Sequence, residues 1–232
     1  MPSFCSICGA EVTWLAPEIH KCGGCNAVFR ESVIDYQKTY TDKNYWFDLT
    51  TPEFEWVWVE QQNQANFIRR DVIPGNLVEF GAANGLIAQE LAQLPQLDQL
   101  YIQELVDIRI DAVKKLYPKI DLVRGTFEDT IPFFLDCEIK NVVMNNVVEH
   151  IMDVNKTFAE VHSILDKGGR FIFVTDDGDN PFAVLPAMFA HPEHVVCLTR
   201  KAIEILCVKW CFVIKKYYRM TNNLIYVVLT AE

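Results

Sequence analysis

Short apolar runs alternate with stretches of helical period along most of the chain, and the alternation is most regular from Ile73-Pro74-Gly75 onward. The pattern there predicts strand 77–80, helix 86–94, strand 100–105, helix 107–116, strands 121–123 and 141–145, helix 155–165 and strand 170–175. Such alternation predicts an α/β fold, a doubly wound and mostly parallel sheet covered by helices on both faces. A loop is expected around Asn180-Pro181 and Pro186, followed by a helix near Thr199–Val208 and strands 211–219 and 224–230. Thr221-Asn222-Asn223 between the last two strands reads as a hairpin turn, which makes the C-terminal strand antiparallel. No internal repeat or low-complexity tract interrupts the pattern.

Upstream the texture changes. Residues 31–73 are rich in aromatic rings, and Phe54, Val57, Trp58, Gln61, Ala65 and Ile68 fall near helical spacing, so a helix is expected over Pro52 to Asp71, begun by Thr50 or Thr51. The rings ahead of it, Tyr40, Tyr45 and Trp46, either cover the sheet or form a lid over a ligand. The first thirty residues hold strands near 12–15 and 28–29 and two Cys-x-x-Cys pairs, Cys5/Cys8 and Cys22/Cys25, with 13 residues between them. That spacing fits a tetrahedral four-thiolate zinc ribbon, a closed structural site whose metal supplies most of the folding free energy of so small a segment. His20 is expected beside the site and not in it. The expected divisions are therefore a zinc ribbon at 1–30, a helical linker or lid at 31–73 and the α/β domain at 74–232.

Composition narrows the function. Half of the 232 residues are hydrophobic and 22% are charged, as in a compact soluble protein. The net charge of −10 disfavours nucleic acid as a partner. The apolar stretch Ile203–Ile214 is broken by Glu204 and Lys209, so no membrane span is expected. Residues 1–20 do not read as a secretory signal, and eight cysteines then point to a reducing, cytoplasmic setting. Cys137, Cys197, Cys207 and Cys211 are expected as packing thiols.

The chemistry gathers at predicted strand ends. Leu77-Val78-Glu79-Phe80-Gly81-Ala82-Ala83-Asn84-Gly85 is a buried strand, a small-residue turn and a helix start, and Glu104 closes the next strand. Val147-Val148-Glu149-His150 follows the fourth strand, and Leu165-Asp166-Lys167-Gly168-Gly169 precedes the fifth. In this order the elements resemble S-adenosylmethionine-dependent methyltransferases of the class I, Rossmann-like type, over residues 74 to the C-terminus. The resemblance implies that Glu79 orients the methionine amino group and that Gly81, Ala82, Ala83, Asn84 and Gly85 let the backbone approach the cofactor. Ala83 stands where the family turn commonly has a third glycine. The resemblance also implies that Glu104 binds the ribose hydroxyls, with Asp107 as a rival or a helix cap, and that Thr126, Phe127 and Glu128 lie at adenine. Asn145 would line the cofactor site, and Tyr45 would lie near the methionine moiety.

Val148-Glu149-His150 resembles the Leu-Glu-His element of a methyltransferase group that includes sugar-modifying and quinone-ring enzymes. Imidazole titrates in the range a general base requires, so His150 is the first candidate, with Glu149 orienting it or binding substrate. Glu149 and His150 also suit a structural role, as helix caps. His191 and His194 lie on the loop after the fifth strand, where such pockets are built. The implied function is methyl transfer to a small molecule, a sugar or glycoside hydroxyl or carbon, with a nucleotide-sugar or glycoside as substrate. The alternatives are a non-catalytic methyltransferase-like interaction module and an RNA or protein methyltransferase docking through its ribbon.

Overall fold

The structure is a computed structural model that describes residues 4–31, 55–83, 85–105, 120–220 and 223–232. Tyr40, Tyr45, Trp46, Asn84 and the helix expected at 107–116 lie outside the described residues. The N-terminal segment forms β1 (Val12–Ala16), β2 (Ile19–Cys22) and β3 (Val28–Arg30), and α1 (Glu55–Arg69) follows. Then come β4 (Gly75–Phe80), α2 (Leu86–Leu91), β5 (Leu97–Glu104), β6 (Ile120–Arg124), α3 (Phe127–Phe134) and β7 (Ile139–Asn145). A 3-10 turn, Val148–His150, leads into α4 (Val154–Ile164), β8 (Leu165–Asp176), α5 (Pro181–Ala190) and β9 (Val196–Cys197). The chain ends with α6 (Arg200–Lys209), β10 (Phe212–Arg219) and β11 (Leu224–Ala231).

The described residues fall into two compact units, one within Met1–Ile34, Asn146–Ser163 and Phe173–Glu232, the other within Asp35–Asn145 and Ile164–Ile172. β8 contributes residues to both units. The strand order of the seven-stranded sheet is β10-β11-β8-β7-β4-β5-β6. β4 pairs in parallel with β5 and β7, β5 pairs in parallel with β6, and β10 and β11 are antiparallel. The expected mostly parallel sheet with an antiparallel C-terminal strand is therefore present.

In the second unit, Leu77, Val78 and Phe80 of β4 and Val142, Val143 and Met144 of β7 are buried in succession, the mark of strands covered on both faces. Phe127 and Phe134 of α3 meet the Phe80 ring edge-on at centroid distances of 4.8 and 5.4 Å. Burying a ring of this size contributes about 1.5–3 kcal/mol. In the first unit, Phe158 packs against Phe173 and Phe212, while Ile19, Val28, Val184, Met188 and Cys197 form a cluster of their own.

Three elements differ from expectation. α3 was not anticipated, because Pro132 interrupts its apolar period; the helix still forms, capped by Thr126, whose hydroxyl accepts from the Asp129 N–H. α5 occupies the expected loop, since Asn180 caps it through the Phe182 N–H and Pro181 takes the first turn, where a missing N–H costs nothing. The N-terminal strands form a four-stranded sheet in the order β1-β2-β3-β9, so the N-terminal segment recruits a strand from far along the chain. Among the described residues no helix is long and apolar enough to cross a membrane.

Candidate active site

The ends of β4, β5, β6 and β7 carry the first group of predicted residues. After Phe80 the backbone turns through left-handed residues, with φ of 69° at Gly81, 49° at Ala83 and 73° at Gly85. Alanine at the middle position thus adopts the conformation that glycine takes more readily. Glu104 ties this turn to β5, its carboxylate accepting from the Ala83 N–H at 2.6 Å and the Leu105 N–H at 2.7 Å. Gln103, not singled out in the sequence, braces the same region. Its side-chain oxygen accepts from the Gly81 N–H at 3.0 Å, and its amide nitrogen donates to the Gly125 carbonyl after β6.

Glu79 is buried within β4, and its Oε2 has no hydrogen-bond partner among the described residues. Burial, then the nearby charge of Glu104, pushes its carboxyl up to about 8. Asn145 at the end of β7 donates to Gln64 of α1 at 2.9 Å, while its own Oδ1 is buried and unpartnered among the described residues. By parallel register Phe80 lies opposite Met144, so the residues that follow, Gly81 and Asn145, sit at neighbouring strand ends. Two orphaned acceptors beside a left-handed turn fit a ligand that brings a cationic donor.

The two side chains expected at adenine, Phe127 and Thr126, have partners within the protein. The Phe127 ring is turned into the core against Phe80, because it opens the apolar face of α3. The Thr126 hydroxyl accepts from the Asp129 N–H and donates to the Asp129 carboxylate, so it serves the helix start.

The second group lies in the other unit. Glu149 is buried, and its Oε2 accepts from the Thr175 hydroxyl at 2.8 Å. Burial, then the Asp176 charge, pushes its carboxyl up to about 7. His150 places Nδ1 3.2 Å from the Glu193 carbonyl, and burial followed by the His194 charge pulls its imidazole down to about 4. His194 places Nδ1 2.7 Å from Asp176 Oδ2. Burial alone would lower the His194 value, but the hydrogen bond from Asp176 and the Glu149 charge outweigh it and raise it. The His150 and His194 rings meet at 4.8 Å, and the exposed His191 stacks on His194 at the same spacing while its Nδ1 reaches Glu193 at 3.3 Å. All four predicted residues are thus brought together, with His194 held by a carboxylate. Asp176 was missed, although an acid closing an apolar strand was the signal that had already marked Glu104.

The four ribbon cysteines converge, with Cys8 and Cys22 sulfurs 3.3 Å apart and Cys5 and Cys25 sulfurs 3.8 Å apart. A tetrahedron with metal–sulfur bonds of about 2.3 Å has edges of about 3.8 Å, so the cluster fits a zinc ion. The two knuckles repeat one hydrogen-bond pattern. Cys5 N–H donates to Ala10 and Cys22 N–H to Ala27, while Gly9 N–H donates to Cys5 and Asn26 N–H to Cys22, with Gly9 and Asn26 both left-handed. A Cβ on Gly24 would stand 2.9 Å from the Cys8 sulfur. His20 lies beside Glu31 at 3.1 Å, outside the thiolate set.

Residues 78–173, which carry the turn, Glu104, Asn145 and Glu149-His150, match the family model described as methyltransferase domain. That stretch is similar to a methyltransferase domain. Solved structures agree on the fold. The YcgJ protein from Bacillus subtilis matches at 11% identity and a TM-score of 0.59, over 74% of this chain and 99% of that one. The N-methyltransferase NodS from Bradyrhizobium japonicum WM9, solved with S-adenosyl-L-homocysteine, matches at 13% and 0.55, over 84% and 95%. An O-methyltransferase family 2 protein from Planctomyces limnophilus, solved with apigenin, matches at 10% and 0.59, over 77% and 61%. No curated protein matches the sequence. The match supports an enzyme of S-adenosylmethionine-dependent methyl transfer, and the acceptor is a separate question.

Proposed function

We propose that this methyltransferase methylates a small-molecule acceptor, a sugar or glycoside hydroxyl or carbon, in polysaccharide or secondary-metabolite biosynthesis. The observation that carries the cofactor half is the buried, unpartnered Glu79 oxygen beside the Gly81–Gly85 turn. In this reading Glu79 receives the amino group of S-adenosylmethionine, and Gly81, Ala82, Ala83, Asn84 and Gly85 line it with backbone. Glu104 takes the ribose hydroxyls, Thr126 and Phe127 border adenine through the start of α3, and Asn145 and Tyr45 complete the site.

Bound there, S-adenosylmethionine supplies a methyl group already activated by its positive sulfur. The protein's task is alignment and, for a hydroxyl or an acidic carbon, removal of a proton. Glu149, His150, His191 and His194 are the groups proposed to hold the acceptor and receive that proton. An acid and histidine cluster of this kind favours a polyhydroxylated acceptor over a wholly apolar one, because its carboxylates accept from hydroxyl donors. Cys5, Cys8, Cys22 and Cys25 hold a structural zinc in the same reading, and cysteines outside any disulfide suit the cytoplasm.

Calorimetric titration of the zinc-loaded protein with S-adenosylmethionine and S-adenosylhomocysteine tests the cofactor half. Micromolar or tighter binding of both is expected, and the absence of either would reject it. Product analysis with sugar nucleotides and glycosides then tests the acceptor.

A further inference from the structure

The acid and histidine cluster has the donor set of a metal centre. One ligand atom each from Glu149, His150 and His194 lies within 4.8 Å of the others. Metal-binding histidines as a rule fix one ring nitrogen on a carbonyl or carboxylate and ligate with the other. Both histidines here have that outer partner: Nδ1 of His150 on the Glu193 carbonyl at 3.2 Å, and Nδ1 of His194 on Asp176 at 2.7 Å. A carbonyl oxygen only accepts, so Nδ1 of neutral His150 carries the proton and the lone pair sits on Nε2. The third donor is oriented as well, since Thr175 donates to one oxygen of Glu149 at 2.8 Å.

Charge supports the same conclusion independently. Glu149, Asp176 and Glu193 are three largely buried carboxylates in one neighbourhood. Among the described residues no Lys or Arg makes an ion pair with any of them, and their charged neighbours are histidines. Arg30 donates instead to the main-chain carbonyls of His194 and Met188. Buried carboxylates without a cation are costly, and a divalent ion compensates them.

We propose that Glu149, His150 and His194 bind a first-row divalent cation of the zinc class, distinct from the ion of the four-cysteine ribbon. Imidazole donors select this class over magnesium or calcium. In a filled tetrahedral site the donor atoms stand about 3.3 Å apart, a spacing that a cluster within 4.8 Å approaches. Three protein donors leave one position for an oxygen. The site stands on its own geometry and does not depend on the methyl-transfer reading.

Metal content of the full chain, titrated with cobalt(II) and zinc(II) and measured by elemental analysis, tests this. Two equivalents per chain are expected in the unaltered protein, one in Cys22→Ser and one in His194→Gln. The cobalt form of His194→Gln should keep the intense sulfur-to-metal band of the ribbon and lose the weaker bands of a nitrogen and oxygen site. His150→Gln should behave like His194→Gln. A single equivalent in the unaltered protein overturns the proposal without any variant, as do two equivalents retained in both histidine variants. Cofactor titration of the same preparation reports separately on the methyl-transfer reading.

Discussion

A buried carboxylate with an unpartnered oxygen is stabilised as the neutral acid, and Glu79 meets that description with its carboxyl pushed up to about 8. The folded value lies above the unfolded one, near 4.5, so the folded state holds the extra proton between those limits. Stability contributed by neutral Glu79 is complete below pH ~4.5, falls as pH rises and is gone above about 8. Glu79→Gln should therefore match the unaltered protein in urea midpoint near pH 4.5 and exceed it increasingly toward pH 8. The same variant should bind S-adenosylmethionine about 10–100-fold more weakly, the size of a lost charge-assisted hydrogen bond. Equal midpoints at pH 8 would mean that Glu79 is charged and satisfied in the folded state. Ala83 offers a second test, because it holds φ of 49° with a Cβ. Ala83→Gly should be neutral to roughly 0.5 kcal/mol more stable in thermal unfolding, and Ala83→Val roughly 2 kcal/mol less stable. The sequence showed Glu79, Glu104, Glu149 and the histidines because each lies in or next to a recognisable strand end. It hid Gln103, whose role comes from side-chain partners on other elements, whereas Asp176 carried the same strand-end signal as Glu104.

At the scale of elements, the N-terminal sheet that carries the four cysteines is joined to the segment that carries His194. β3 pairs with β9 through Val28↔Cys197 and Phe29↔Val196, and the Arg30 N–H donates to Val195 at 2.8 Å. The Arg30 side chain donates to the carbonyls of Met188 and His194, and Thr199, the cap of α6, donates to the Cys25 carbonyl at 2.5 Å. Disturbing the thiolate set should therefore reach the histidine segment. Cys22→Ser is expected to speed hydrogen exchange at Val195 to Thr199 while leaving exchange in β4 and β5 unchanged. Uniform protection at 195–199 would show that β9 is held without the ribbon. None of this pairing was legible beforehand, since a two-residue strand has no periodicity and its partner lies more than 160 positions away. The longer strands and helices were legible because burial on one or both faces imposes a period. α5 was misread because Pro181 and Pro186 signal a loop, and only the Asn180 cap makes the first proline a helix start.

For the whole molecule, neither compact unit is a continuous stretch of chain. The backbone passes from one to the other between residues 34 and 35, between 145 and 146, between 163 and 164, and within β8 between 172 and 173. A strand shared in this way cannot be ordered in one unit and unravelled in the other without breaking its own ladder, so unfolding should be a single cooperative event. The calorimetric and van't Hoff enthalpies are expected to agree. Ligands that bind residues of different units should then raise the same transition. S-adenosylmethionine at a hundred times its dissociation constant stabilises the folded state by about 2.7 kcal/mol, which in a chain of this size shifts the midpoint by roughly 5–10 °C. A metal ion held by Glu149, His150 and His194 should move that midpoint further in the same scan. Two resolved transitions, with the cofactor moving one and the metal moving the other, would mean that the two units unfold separately despite the shared strand.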